Sequence, residues 1–182
     1  YLEILPSAIG ITEMPFWDNH WYFISQFASK KSKFLASGDG GDEIFGGYVF
    51  RYENFLSQIN SNSTPIEKVK AYLNCHERDW VIDQNQIFGN KSNFSWDSIH
   101  SILLPFFDNP LNPLEQVFLA DYNGKLLYNF SHVNNSINHH FGLKSISPLL
   151  SNDLISLLPH CDYQNKYDKS QNMGKIFLRN LL

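Results

Sequence analysis

The stretch that most constrains this chain is Ser37-Gly38-Asp39-Gly40-Gly41-Asp42-Glu43-Ile44-Phe45-Gly46-Gly47-Tyr48. A short apolar run, Phe34-Leu35-Ala36, precedes it and has the size of a buried strand end. Beyond it, polar and apolar positions alternate at helical spacing. The pattern predicts a strand, a glycine turn and a helix start, with Asp42 and Glu43 at or near the first helical turn. Glycines permit positive φ and let backbone N–H groups approach a ligand closely. A helix start and a nest of amides favour phosphate oxygens. Carboxylates repel phosphate, so Asp42 and Glu43 read as holders of Mg²⁺, a hard cation that takes oxygen ligands. The plainer reading is a glycine-rich turn with Asp42 as helix N-cap.

The twelve residues fill every fixed position of S-G-x-G-x-D-E-x-F-G-G-Y, and on that match the chain resembles the asparagine synthetase family in its ATP-consuming, amide-forming domain. The resemblance implies an α/β fold: a small parallel sheet of the ATP-pyrophosphatase (adenine nucleotide α-hydrolase-like) type, with a mainly helical C-terminal part. It places Ser37 and Gly38 at the nucleotide, Asp42 on Mg²⁺ bound to pyrophosphate, and Asp39 facing the acyl substrate.

Three further segments extend the resemblance. Glu13-Met14-Pro15-Phe16-Trp17-Asp18 is similar to D-E-P-F-x-D, with Met14 in place of a carboxylate. Across 121–150, Asp121, Leu126, Leu143, Pro148 and Leu150 fall in register without a gap. There Asn135-Ser136-Ile137-Asn138-His139 replaces D-R-x-S-M, Lys144 and Ile146 replace Glu and Arg, and Ser151 replaces Asp. At 144, 146 and 151 alone, losing an arginine and two carboxylates removes charge that would recognise an amino-acid substrate. Lastly, Met173-Gly174-Lys175-Ile176-Phe177-Leu178-Arg179 resembles G-x-K-x-h-L-R, where h is apolar, so Lys175 is expected to reach the phosphates. The family layout points its ammonium towards the mouth of the Ser37–Asp42 loop. A long flexible ammonium suits charge that migrates from the α-phosphate to pyrophosphate.

A length of 182 residues suits one domain or part of one, here an α/β portion over 1–50 and a mainly helical portion over 51–182. The family's phosphate loop, S-G-G-x-D-S, and its N-terminal glutaminase cysteine do not occur in these residues. The expectation is therefore an internal piece of a synthetase that does not turn over ATP by itself. The remainder of the parent, including a glutaminase domain, would be its partner.

A net charge of −4 offers no basic footprint for nucleic acid. No apolar run has transmembrane length, so no membrane partner and a cytoplasmic location are expected. Cys75 and Cys161 stand in no ligand spacing and read as ordinary thiols. His76, His100, His132, His139, His140 and His160 lack the i,i+4 or Cys-paired spacing of a zinc site. Small-molecule substrates remain: ATP, aspartate or another carboxylate, and ammonia or an amine donor. Relatives that close a β-lactam or a peptide macrolactam, and a degenerate binding module that catalyses nothing, are the alternatives.

Residues 1–12, mixed apolar with Pro6 near the start, read as a helix turn or two; periodicity places helices over about 19–30, 49–59 and 65–75, then 96–107 broken at Pro105, and 114–130. Short helical pieces are expected around 83–88. Asp18 is the expected cap of the second helix, with Trp17, Trp21, Ile24 and Ala28 on its apolar face. Lys30, Lys31 and Lys33 follow its end, where cations suit the macrodipole.

Overall fold

A computed structural model describes residues 2–14, 20–76 and 95–181. The elements, in order, are α1 (Leu5–Thr12), α2 (His20–Ser29), β1 (Phe34–Ala36), α3 (Val49–Gln58), α4 (Pro65–Asn74), α5 (Trp96–Phe107) and α6 (Pro113–Ala120). A π-helical stretch (Asp121–Phe130) then leads into α7 (Ser131–His140), β2 (Lys144–Ile146), α8 (Asn152–Leu157), β3 (Tyr167–Asp168), β4 (Met173–Gly174) and α9 (Ile176–Arg179). The fold is mixed α/β, mostly helical, with a small parallel sheet as expected. No helix among the described residues is long and apolar enough to cross a membrane. The expected pieces around 83–88, and the Asp18 cap with Trp17, lie outside the described residues.

The chain passes twice through each of two units: Tyr1–Ile44 with Tyr122–His160, and Phe45–Asp121 with Cys161–Leu182. In the first unit, α1 opens with Pro6, whose missing N–H costs nothing in a first turn, and stops at Glu13 in a left-handed conformation. Among the described residues, one buried cluster of this unit is Ala8, Val133 and Ile137, flanked by Ile4, Trp21, Tyr22 and Phe141. Polar ties supplement it. Ser25 Oγ donates to Asn138 Oδ1 at 2.7 Å, and Asn138 Nδ2 donates to Ser145 Oγ at 2.9 Å. This tie turns α2 so that Ser25 is buried, whereas Ile24 of the expected apolar face is exposed.

β1 and β2 run parallel, with Phe34 opposite Lys144, Leu35 opposite Ser145 and Ala36 opposite Ile146. Phe34-Leu35-Ala36 is a strand, as expected, but not a buried one. Phe34 keeps 55% of its surface exposed, and Lys144 Nζ lies 5.9 Å from its ring centre.

The second unit is built on a larger apolar core. One face of α3 buries Tyr52 and Phe55. The Tyr52 ring meets Phe118 and Tyr167 edge-on, with centroids 5.1 Å away in both cases. Thr64 and Glu67 form a capping box at α4, and Asn112 and Glu115 form another at α6, each with proline in the first turn. Two expectations are corrected here. Helix α5 runs through Pro105 to Phe107, because buried Leu103 and Phe107 carry it past the one backbone bond that proline removes. The helix expected over 114–130 becomes α-helical only to Ala120 and π-helical from Asp121.

A buried polar group sits inside this unit. Tyr72 Oη donates to Asp121 Oδ1 at 2.8 Å, and Arg51 Nη1 lies 4.0 Å from the same oxygen. His76 Nδ1 must donate to the Tyr72 carbonyl at 2.8 Å, so Nε2 accepts from Arg51 Nη1 at 2.9 Å.

Candidate functional site

The glycine loop leaves β1 at its carboxyl end. The Ser37 amide donates to the Ile146 carbonyl at 2.9 Å, which prolongs the strand pairing by one bond. Ser37 Oγ then lies 3.2 Å from Ser147 Oγ, so the two parallel strands present their hydroxyls side by side where they end. Carboxyl ends of parallel strands are where open α/β sheets bind ligands.

From Asp39 to Gly46 the chain makes consecutive turns, and the next helix starts only at Val49. The expected helix start at Asp42 and Glu43 is therefore corrected. Left-handed backbone at Gly40 (φ 84°) and Gly46 (φ 76°) diverts the chain from a helical path. Gly40 has a second constraint, since a Cβ there would collide with the Leu150 side chain. Asp42 consequently caps no helix. It is half-buried in the loop, and Glu43 beside it is buried.

Gly38 is exposed, with open space where a side chain would stand, and its carbonyl accepts from the Gly41 amide at 3.1 Å. Asp39 is half-buried, and both its carboxylate oxygens accept from Asn134 Nδ2, at 3.2 and 3.1 Å. Ser37, Gly38, Asp39 and Asp42 thus belong to one loop of the first unit. Lys175 belongs to the second unit.

Lys175 is held by its backbone. β4 pairs antiparallel with β3, Tyr167 opposite Gly174. Gly174 packs so tightly that a Cβ would run into the Gly46 carbonyl oxygen and lie 2.9 Å from Val49 Cγ2. The Lys175 amide donates to the Phe45 carbonyl at 3.1 Å, and the Lys175 carbonyl accepts from the Arg179 amide at 2.9 Å. Arg179 Nε closes the turn on the Gly174 carbonyl at 2.9 Å. Lys175 itself sits at φ 59°, ψ 37°, a left-handed conformation that costs a non-glycine residue about 1–3 kcal/mol. Such strain persists where the surroundings over-determine it, as they do here. The Phe45-Gly46 tail of the glycine string is the seat of this turn.

Several of these residues carry no signal of their own in the sequence. Asn134 precedes the altered box at 135–139, and Ser147 precedes Pro148. The one clue to Gly174 is its position beside Lys175.

Among the described residues no three His, Cys, Asp or Glu side chains gather to hold a metal. Mg²⁺ asks less than that, since it is usually held through one or two carboxylates with phosphate oxygens and waters. A half-buried Asp42 in a glycine loop fits that donor set.

No curated protein and no solved structure matches the chain. A family model, that of asparagine synthase, matches residues 1–182. With the glycine loop at a parallel strand end and Lys175 in its strained turn already in place, that match over every residue settles the family: the chain belongs to the asparagine synthase family, whose members form amides at the expense of ATP.

Proposed function

We propose that this chain is part of an ATP-dependent synthetase that adenylates a carboxylate and passes the acyl group to ammonia or an amine, as a glutamine-hydrolysing asparagine synthetase does. The observation that carries the reading is the left-handed backbone of Lys175, fixed on both sides by hydrogen bonds and by the Gly174–Gly46 contact. Strain of this kind clusters at functional sites.

In this reading a carboxylate oxygen attacks the α-phosphorus of ATP, and the bond from that phosphorus to the pyrophosphate oxygen breaks. The amine nitrogen then attacks the acyl carbon, loses a proton, and AMP leaves with the bridging oxygen. In-line transfer at phosphorus needs positioning and charge neutralisation more than a protein nucleophile. Ser37 and Gly38 line the nucleotide in a parallel sheet of the ATP-pyrophosphatase type, and Lys175 neutralises the leaving pyrophosphate. Asp39 faces the acyl substrate. Asp42 would hold Mg²⁺, which supplies charge neutralisation at the phosphates when bound. The partners are small molecules, with the remainder of the parent chain and its glutaminase domain, in the cytoplasm.

A second reading changes only the acceptor. Ile146, in the place of the family arginine, keeps 44% of its surface exposed, and Ser151 replaces an aspartate. This favours an acyl substrate other than aspartate, including those of relatives that close a β-lactam or a macrolactam.

Product analysis tests the chemistry. With carboxylate labelled with ¹⁸O, one label should appear in AMP, together with pyrophosphate. ADP and phosphate, or AMP without label, would refute adenylation. A chain that binds ATP and yields no product with any carboxylate would be the non-catalytic module.

A further inference from the structure

We propose that Asn134 is the positioning residue for Asp39, fixing the carboxylate that faces the acyl substrate; this rests on the proposed role of Asp39. Asn134 stands in the first turn of α7, between buried Val133 and the next core residue of that face, Ile137. Both pack with Ala8 of α1. The Asn134 carbonyl accepts from Trp21 Nε1 of α2 at 3.3 Å. Two helices therefore fix its backbone, and the side chain reaches the glycine loop from a rigid base.

The geometry of the contact states what it does. One amide nitrogen lies 3.2 Å from Asp39 Oδ1 and 3.1 Å from Oδ2. A nitrogen equidistant from both oxygens faces the open end of the carboxylate. An ionised carboxylate accepts along about four lone-pair directions and donates none, so the amide must present its nitrogen. The two inner directions are occupied by Asn134, and the two outer ones stay available to a substrate donor. An aspartate on a loop otherwise samples three χ1 wells. The clamp selects one of them. A hydrogen bond to a charged group is also stronger than a neutral one, so the selection is firm.

Asn134 falls within the 121–150 segment but at none of the positions that carry the family resemblance, and its amide is neutral. A lysine or arginine there would neutralise Asp39. An aspartate would repel it. An asparagine orients the carboxylate and leaves its charge intact for the substrate.

The test is a double-mutant cycle in the protein that carries these residues. The probe is hydroxamate formation from MgATP, hydroxylamine and an equimolar mixture of the common amino acids as carboxylates. Asn134→Ala should lower kcat about 10- to 100-fold, the span expected for losing a hydrogen bond to a charged group. The apparent KM for ATP should stay within about threefold, because the nucleotide does not depend on Asp39. In an Asp39→Asn background the same change should cost nothing further, whereas a residue that only supports the fold would add its own loss. Where Asn134→Ala fails to fold, the exchanged pair Asp39→Asn with Asn134→Asp serves instead. It remakes an amide–carboxylate contact, so it should regain the melting temperature and not the rate. Full rate in Asn134→Ala with Asp39→Asn inactive overturns the role of Asn134 alone, as does recovery of rate in the exchanged pair. Full rate in Asp39→Asn overturns the role of Asp39 instead, and absence of hydroxamate from the wild-type protein defeats the functional reading together with this inference.

Discussion

The two units hold their candidate site residues by different means. In the first, side chains do it: Ser37 Oγ meets Ser147 Oγ, Asp39 is clamped by Asn134, and Asn138 bridges Ser25 and Ser145. In the second, Lys175 is placed by backbone, through the Phe45 and Arg179 bonds and a glycine packed against a glycine. The cores differ in the same sense. Among the described residues the first unit's buried cluster is small and aliphatic, Ala8, Val133 and Ile137, whereas Tyr52, Phe55, Phe107, Phe118 and Tyr167 lead that of the second. A small core leaves polar pairs to define geometry, and such pairs are replaceable one at a time. A backbone turn wedged against an aromatic core is not.

Changing Gly174→Ala should give the largest effect that reaches no ligand. The new methyl meets the Gly46 carbonyl, so the turn must shift and carry Lys175 with it. Misplacement by about 1 Å costs on the order of 100-fold, so kcat should fall by about that factor. Normal kcat in a folded Gly174→Ala protein would break the contrast drawn here.

A smaller effect is expected at the buried polar group of the second unit. Tyr72→Phe removes one donor to a carboxylate that has no exposed surface, which should cost about 1–3 kcal/mol in denaturant unfolding at neutral pH. Burial first, and then the neighbouring Asp121, hold the Tyr72 hydroxyl well above its ordinary value. The folded state thus binds that proton more tightly than the unfolded chain does. The resulting stability is present below the ordinary tyrosine value of about 10 and is lost as pH rises through the raised one. Tyr72→Phe should therefore flatten the alkaline limb of the stability profile, and an unchanged limb would place the alkaline transition elsewhere.

The smallest effect tests a feature read directly from the sequence. Thr64 Oγ1 accepts from the Glu67 amide at 3.4 Å, and Glu67 Oε2 accepts from the Thr64 amide at 2.7 Å. Thr64→Ala should cost about 1 kcal/mol by chemical denaturation. A loss of several kcal/mol would mean that the second unit leans on its caps more than on its core.

How much was legible follows from which forces act locally. Thr64-Pro65-Ile66-Glu67 announces a capped helix because cap, proline and glutamate act within four residues, and α4 starts there. The strand at 34–36, the helices from Val49 and Trp96, and the glycine turn were legible for the same reason. What escaped depends on distant partners. Asn134 and Asp39 are 95 positions apart, so nothing local couples them. Ser25 is buried in place of Ile24 because Asn138, far along the chain, supplies its acceptor. The helix start expected at Asp42 failed for a local reason, since glycines at 40 and 46 permit φ values that no helix uses. Lys175 was found by resemblance alone, and its left-handed backbone has no sequence signal.

The central claim of the proposed function is that Asp42 and Lys175 each act in adenylation. Single-turnover AMP formation from MgATP and carboxylate, in the protein that carries these residues, tests it most directly. Lys175→Ala and Asp42→Asn should each slow that step by about 100- to 1000-fold. ATP affinity should stay within about tenfold in Lys175→Ala, because the ammonium acts on charge that develops in the transition state. Wild-type rates of AMP formation in either variant, with the protein folded, would contradict the account.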